Sequence, residues 1–207
     1  MPKETFLNLP EIKRNLIIQV AIDEFYTYGY DKASISRIVH QAGIAKGSFY
    51  QYFTGKDDLF RYLMEYASAV KLNYLTQLTN NFADLELFDL LRVLYLGALN
   101  FLKENQKLSL IIDRFLKNTD EKVRENILGD STAKSNQFLE NLLIQAAKKG
   151  QIRSDIDTSF VAHLLTGLTI SLSDYIRRHM QDISQIDEAV YAKLIDQTLD
   201  LLRYGIT

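Results

Sequence analysis

Cysteine is absent from all 207 residues. That excludes a disulfide framework, a thiolate metal site and a cysteine nucleophile, and it suits the reducing cytoplasm, where the chain is expected to work. Proline occurs twice and glycine nine times, few breakers, as expected of a helical protein. The three histidines, His40, His163 and His179, form no metal-binding pair at i,i+4. His40 reads as a surface or phosphate contact and His163 as a satisfied core residue. No G-x-S-x-G elbow, P-loop or H-E-x-x-H occurs, so neither an enzyme nor a cofactor or metal site is expected. Long hydrophobic runs are missing too. Leu16 to Val20 is too short for a signal peptide, and Phe160 to Ile176, interrupted by His163 and Asp174, falls short of a membrane-spanning helix.

What is present is a core-forming, soluble composition: 47% hydrophobic and 24% charged residues, with a formal net charge of -2. The total charge says little about partners; its local distribution says more. Between Asp31 and Asp57 there is no carboxylate, while Lys32, Arg37, Lys46 and Lys56 all fall in that window. An acid-free, cationic stretch in a net-acidic chain is a place for a polyanion.

The same window reads as helix, tight turn, helix. Ser34 is placed to cap the first helix with its hydroxyl. Ile35, Ile38 and Val39 then fall on one face. Gly43 sits where the backbone must turn left-handed, and Ile44 is the apolar residue of the turn. A second helix restarts near Lys46. Phe49 and Phe53, four apart, share its inner face, which leaves Lys46, Gly47, Ser48, Tyr50, Gln51 and Tyr52 outside. In a helix-turn-helix the second helix enters the major groove by its N-terminal residues. Gly47 and Ser48 allow close approach, Gln51 can bond base edges bidentately, and Tyr50, Tyr52 and Lys56 suit phosphates. Ser34, Ser36 and Arg37, at the start of the first helix, complete the DNA-contacting candidates.

Around this hairpin stand Ala21, Phe25, Gly29-Tyr30, Ala33-Ser34-Ile35, Ile38, the run Ala42 to Phe53 and Lys56-Asp57-Asp58-Leu59. In order and ungapped, over the first quarter of the chain, they resemble the DNA-binding signature of the TetR family of transcriptional regulators. The resemblance implies a three-helix DNA-binding head, a fourth helix linking it to an all-α ligand-binding body, and a homodimer. Three positions depart from the family pattern. Ala45 stands where a capping Ser or Thr is usual, Tyr52 where His is frequent, and Gly55 where Ser is usual. Loss of a cap costs about 1 kcal/mol, so the recognition helix is expected to fray more here unless DNA orders it.

The fold expected is all-α, with a helix-turn-helix domain at 1–55 and a helical effector-binding and dimerisation domain at 56–207. Met1 to Leu9 reads as a loose arm. Helices are expected over Pro10 to Tyr28, with Ile17, Ala21, Phe25 and Tyr28 as inner stripe and Gly29 as stop, and over Lys56 to Leu78. Later ones are expected over Leu85 to Glu104, Lys107 to Lys117, Asp120 to Lys149, Thr158 to Met180 and Ile186 to Tyr204. Breaks are expected at Asn118 to Asp120 and Gln181 to Gln185, and a kink or split at Gly129 to Ser131. The last two helices are apolar on more than one side. Leu164, Leu165, Leu168, Ile170, Leu172 and Ile176 mark the first, and Leu194, Ile195, Leu199, Leu201 and Leu202 the second, as buried helices do. The resemblance implies that they pair with their twins across a two-fold axis. Effector-binding candidates in the body are Tyr66, Tyr74, Tyr95, Phe101, Phe115, Phe138 and His163, with Asp113, Asn136 and Asp174 as polar anchors for a largely apolar or aromatic small molecule. The expected function is a ligand-responsive repressor on a pseudo-palindromic double-stranded DNA operator. The alternative is a helical protein-interaction module that keeps the hairpin without specific DNA binding.

Overall fold

The computed structural model describes residues 2–118, 121–179 and 186–204. Among them lie ten helices and no strand: α1 (Glu4–Leu7), α2 (Glu11–Lys32), α3 (Ile35–Gln41), α4 (Lys46–Tyr52), α5 (Lys56–Asn81), α6 (Leu87–Glu104), α7 (Gln106–Asn118), α8 (Glu121–Lys148), α9 (Thr158–His179) and α10 (Glu188–Tyr204). The chain is all-α, with an N-terminal helix-turn-helix domain and a helical C-terminal domain. No described helix is long and apolar enough to cross a membrane. The expected breaks at 119–120 and 181–185 lie outside the described residues. The chain is not split at Gly129 to Ser131, where α8 runs through as one helix.

Two compact units emerge. The first holds Met1–Ala69 with Asn105–Ser131, the second Val70–Glu104 with Thr132–Thr207. The division falls inside α5, and α7 joins the head unit by packing along α2.

The first unit is organised by aromatic side chains. Phe6, Phe25, Phe49, Phe53, Phe60 and Phe115 are all fully buried, each worth about 1.5–3 kcal/mol of burial. Phe60 joins three elements, with ring centroids 4.8 Å from Phe25 on α2 and 4.8 Å from Phe115 on α7. Offset and edge-on contacts of this kind add a little to the area term. Met1 to Leu9, expected loose, is ordered in its described part. Phe6 sits 4.7 Å from Phe53 and 5.2 Å from Tyr62, and a core aromatic cannot leave without opening a cavity. Helix α2 stops being helical at Gly29, whose φ of 73° belongs to the left-handed region that glycine enters at no steric cost. One further turn follows to Lys32. Tyr28, expected in the inner stripe, is 44% exposed and lies flat under the Arg37 guanidinium, 3.9 Å from its ring centroid.

The second unit packs α6 against α10 and closes over α8 and α9. Leu87, Leu91 and Leu99 meet Tyr191, Ile195 and Leu199, with Leu143, Ala162 and Leu165 filling behind. Polar ties lie at the edges of this core. Arg92 holds Asp196 at 2.5 Å, the Tyr191 hydroxyl donates to the Tyr95 carbonyl at 3.1 Å, and the Tyr95 hydroxyl lies 3.0 Å from Thr169 Oγ1. Burial pushes both tyrosines above their ordinary values, so they stay neutral donors. The two apolar helices are not buried all round. Leu165 and Ile176 face the core, whereas Phe160, Leu164, Ile170 and Tyr175 are exposed on α9, as are Leu201 and Leu202 on α10. His163, expected in the core, is exposed as well.

Candidate nucleic-acid interface

Helix α3 is positioned by a buried carboxylate rather than by its own cap. Ser34 occupies the N-cap, but its hydroxyl makes no cap bond. Instead Glu24 on α2, 1% exposed, accepts the Ser34 amide at 2.7 Å and the Arg37 guanidinium at 2.6 and 2.9 Å. A carboxylate at a helix N-terminus is favoured by the helix dipole, and burial of its charge is tolerable only because Arg37 pairs with it. The hydrogen bond to Glu24 in turn holds Arg37 above its ordinary value.

The turn is built as the sequence suggests. Gly43 has φ 63°. Its amide and that of Ile44 donate back to His40 and Val39, closing α3. Helix α4 then runs for two turns. Phe49 and Phe53 are wholly buried, and Lys46, Gly47, Tyr50 and Gln51 are exposed. Ser48 is half-buried. Tyr52, expected outside, is 6% exposed with its ring 5.9 Å from Phe6. The hundred-degree step of the helix places it beside Phe49 once the N-terminal arm supplies a second inner surface. Ala45, the N-cap, makes no side-chain cap bond.

The candidate cations divide into two kinds. Lys46 is exposed, and its Nζ lies 3.3 Å from Ser36 Oγ across the mouth of the hairpin. Arg37 and Lys56 are bound to the end of α2: Arg37 donates to the Lys32 carbonyl at 2.8 Å and Lys56 to the Asp31 carbonyl at 2.9 Å. From α7, Arg114 donates to the Tyr26 carbonyl at 2.6 Å. Cations at a helix C-terminus satisfy its orphan carbonyls and its dipole. Arg114 also lines a cavity of about 260 Å³, together with Thr27 to Lys32 and Phe115. Beside it the Tyr30 hydroxyl donates to Asp57 at 2.8 Å. Burial, then that bond, push its pKa up to about 12.

Helix α5 begins with a side-chain tie absent from the sequence reading. Asp58, buried in its first turn, accepts both the amide and the hydroxyl of Thr54, at 2.9 and 3.2 Å.

The effector candidates divide between the two units. Tyr66 and Phe115 belong to the first unit, where Phe115 is a core residue. Tyr74, Tyr95, Phe101, Asn136, Phe138 and His163 belong to the second. The side chains of Asp113 and Asp174 lie outside the described residues. One group the sequence did not suggest is Lys71 on α5. It shares a face with Tyr74 and Leu78, has no carboxylate partner among the described residues, and is held below its ordinary value by burial. Nothing in its sequence neighbourhood marks it, since an isolated lysine on an amphipathic helix ordinarily faces water. Among the described residues no cluster of His, Asp or Glu is arranged to hold a metal ion.

Residues 17–63 match the family model of bacterial regulatory proteins of the tetR family. An uncharacterized HTH-type transcriptional regulator of Bacillus subtilis strain 168, YvdT, is 45% identical over 65 residues, 31% of each chain. This chain thus spans about a third of that relative. A TetR family transcriptional regulator from Chloroflexus aurantiacus J-10-FL is 28% identical with a TM-score of 0.58, covering 99% of this chain and 98% of its own. FadR of Bacillus subtilis, a transcriptional regulator solved in complex with stearoyl-CoA, shares the fold at 20% identity and TM-score 0.72, over 93% and 99% of the two chains. The head thus matches the family model of tetR-type regulatory proteins over residues 17–63, and nearly the whole chain is similar to a TetR family transcriptional regulator.

Proposed function

We propose that the chain binds a pseudo-palindromic operator as a homodimer through α4, represses transcription there, and is released by a small-molecule effector held in its second unit. The observation that carries the DNA contact is the division of α4. Its inner face is wholly buried, and Lys46, Gly47, Tyr50 and Gln51 stand in solvent at its open end. The side chains reach outward as a major-groove reader requires: Gln51 for an adenine edge, Lys46 and Tyr50 for phosphates. Ser34, Ser36 and Ser48 flank the contact. In this reading Arg37 and Lys56 hold the end of α2 first and meet phosphate only with their remaining donors.

The exposed apolar face of α9 and α10 supports the homodimer. Phe160, Leu164 and Ile170 on α9 and Leu201 on α10 are apolar side chains about half exposed, of the kind that marks an interaction surface when grouped, and a self-complementary face is what a two-fold pair needs. Two heads about 34 Å apart then meet successive turns of the groove. The effector acts by population shift, so it must bind the released form better than the DNA-competent form. Helix α5 is the covalent link through which the second unit can move the head. The aromatic residues of the second unit suit an apolar ligand, and the Lys71 ammonium, which has no carboxylate partner among the described residues, suits an anionic end. Fatty acyl amphiphiles, the class held by the FadR structure, therefore belong at the head of an effector screen.

The test is binding of the purified protein to DNA from upstream of its own gene and to a random-sequence pool, with excess nonspecific competitor. Salt-sensitive, sequence-selective binding that Lys46→Ala and Tyr50→Ala both weaken is the expected result. Absence of selective binding in both DNA sources rejects the regulator reading and favours the interaction module, to which the uncapped Ala45 is the pointer.

A further inference from the structure

Helix α4 has seven residues, too few to be stable alone, and no side chain caps its N-terminus. Its other end is satisfied by a different part of the chain. The last four carbonyls of a helix lack intrahelical partners in general. Here the Phe49 carbonyl accepts the Phe53 amide at 2.9 Å. The next three are all taken by the arm that precedes α2. Lys3 Nζ donates to the Tyr50 carbonyl at 2.8 Å, the Thr5 hydroxyl donates to the Gln51 carbonyl, and the Lys3 amide donates to the Tyr52 carbonyl at 2.8 Å. The Lys3 ammonium also stands at the negative end of the helix dipole. Phe6, fully buried between Phe53 and Tyr62, anchors this contact. Arg14 fixes the arm's far end by donating to the Leu7 carbonyl at 2.9 Å.

We infer that residues 3–7 are a C-terminal cap, supplied from a distant part of the sequence, that keeps the recognition helix formed before DNA arrives, and that Thr5 and Phe6 are positioning residues for operator binding. The inference rests on the reading of α4 as the DNA-contacting helix. Its physical content is preorganisation: a helix already folded loses no conformational entropy on docking, and the arm does the work that a capping side chain at position 45 would otherwise share.

The experiment compares full-length wild type with Thr5→Val, Thr5→Ser and Phe6→Ala. It uses the operator selected above, titrated at several salt concentrations, with amide exchange of residues 50–53 read in the free protein. Thr5→Val keeps the shape and removes the donor, so it is expected to weaken operator binding about three- to tenfold, the effect of one lost hydrogen bond. Phe6→Ala is expected to weaken it further, and Thr5→Ser to restore it. In both weakened variants exchange at 50–53 accelerates, while the slope of log K against log salt stays at its wild-type value. Thr5→Val covers the case in which Phe6→Ala unfolds the head, provided its thermal transition is unchanged.

Three outcomes overturn the inference. One is unaltered affinity in Thr5→Val and Phe6→Ala. Another is unaltered exchange despite weaker binding. The third is a shallower salt slope, which would make the arm a phosphate contact instead. A wild type without selective DNA binding fails earlier and differently, because it removes the reading of α4 itself.

Discussion

At the residue scale, single side chains carry two jobs where the sequence suggests one. Arg37 and Lys56 were natural phosphate contacts in an acid-free window, yet each closes a carbonyl at the end of α2. Glu24, which no local pattern marks, is a buried anchor for α3. Gly43 keeps its single role. With φ at 63° and open space where a Cβ would stand, its constraint is backbone conformation and not crowding. Gly43→Ala is therefore expected to cost about 1–2 kcal/mol, read as a lower midpoint in urea unfolding, whereas Gly43→Asn should recover part of it. An alanine variant as stable as wild type would mean that the turn relaxes elsewhere.

At the scale of elements, packing distance and charge pairing can be tested separately in the second unit. A Cβ on Gly97 of α6 would lie 2.3 Å from Leu78 Cδ1 on α5, so the glycine lets the two helices approach. The clash is with the end of a flexible side chain, so Gly97→Ala is tolerable by rotation of Leu78. Gly97→Val is expected to cost about 1–3 kcal/mol as overpacking and to alter effector release more than DNA affinity. Equal loss of both would argue that α5 is merely a strut. The Arg92–Asp196 pair joins α6 to α10 at 2.5 Å, with both side chains about half exposed. The hydrogen bond from Arg92 lowers the Asp196 pKa. A carboxylate depressed on folding adds stability above its unfolded value, about 3.9, and loses it as pH falls through the folded value. Asp196→Asn should thus be less stable than wild type at pH 7 by no more than about 1 kcal/mol, given its exposure, with the gap closing below about pH 4. Denaturant midpoints at pH 7 and 3 measure this, and a gap that persists at pH 3 would assign it to packing.

For the whole molecule, the remaining question is what covers α9 and α10. Leu164 is 46% exposed and Ile170 53% exposed on helices whose other faces fill a core. Leu164→Lys is expected to shift the protein to a monomer in sedimentation velocity without unfolding it, since the side chain is not needed inside. It should weaken operator binding at least tenfold, because two linked heads bind as one unit through effective concentration. A dimer unchanged by this substitution would move the interface elsewhere.

The sequence by itself determined the local structure. Helix-period hydrophobicity, the left-handed Gly43, the Phe49–Phe53 pair and the acid-free window are short-range facts, readable because side chains three or four apart share a face whatever lies beyond. It also carried the resemblance of the head to tetR-type regulators, through residues clustered in the first quarter of the chain. Only the tertiary structure decided which groups meet across long separations. It alone showed that Lys3 and Thr5 cap a helix through carbonyls 47 and 46 residues on, that Tyr52 turns inward, that α7 joins the head unit and that His163 faces solvent. Such pairings depend on the direction in which each element enters the core, and no local period encodes that direction.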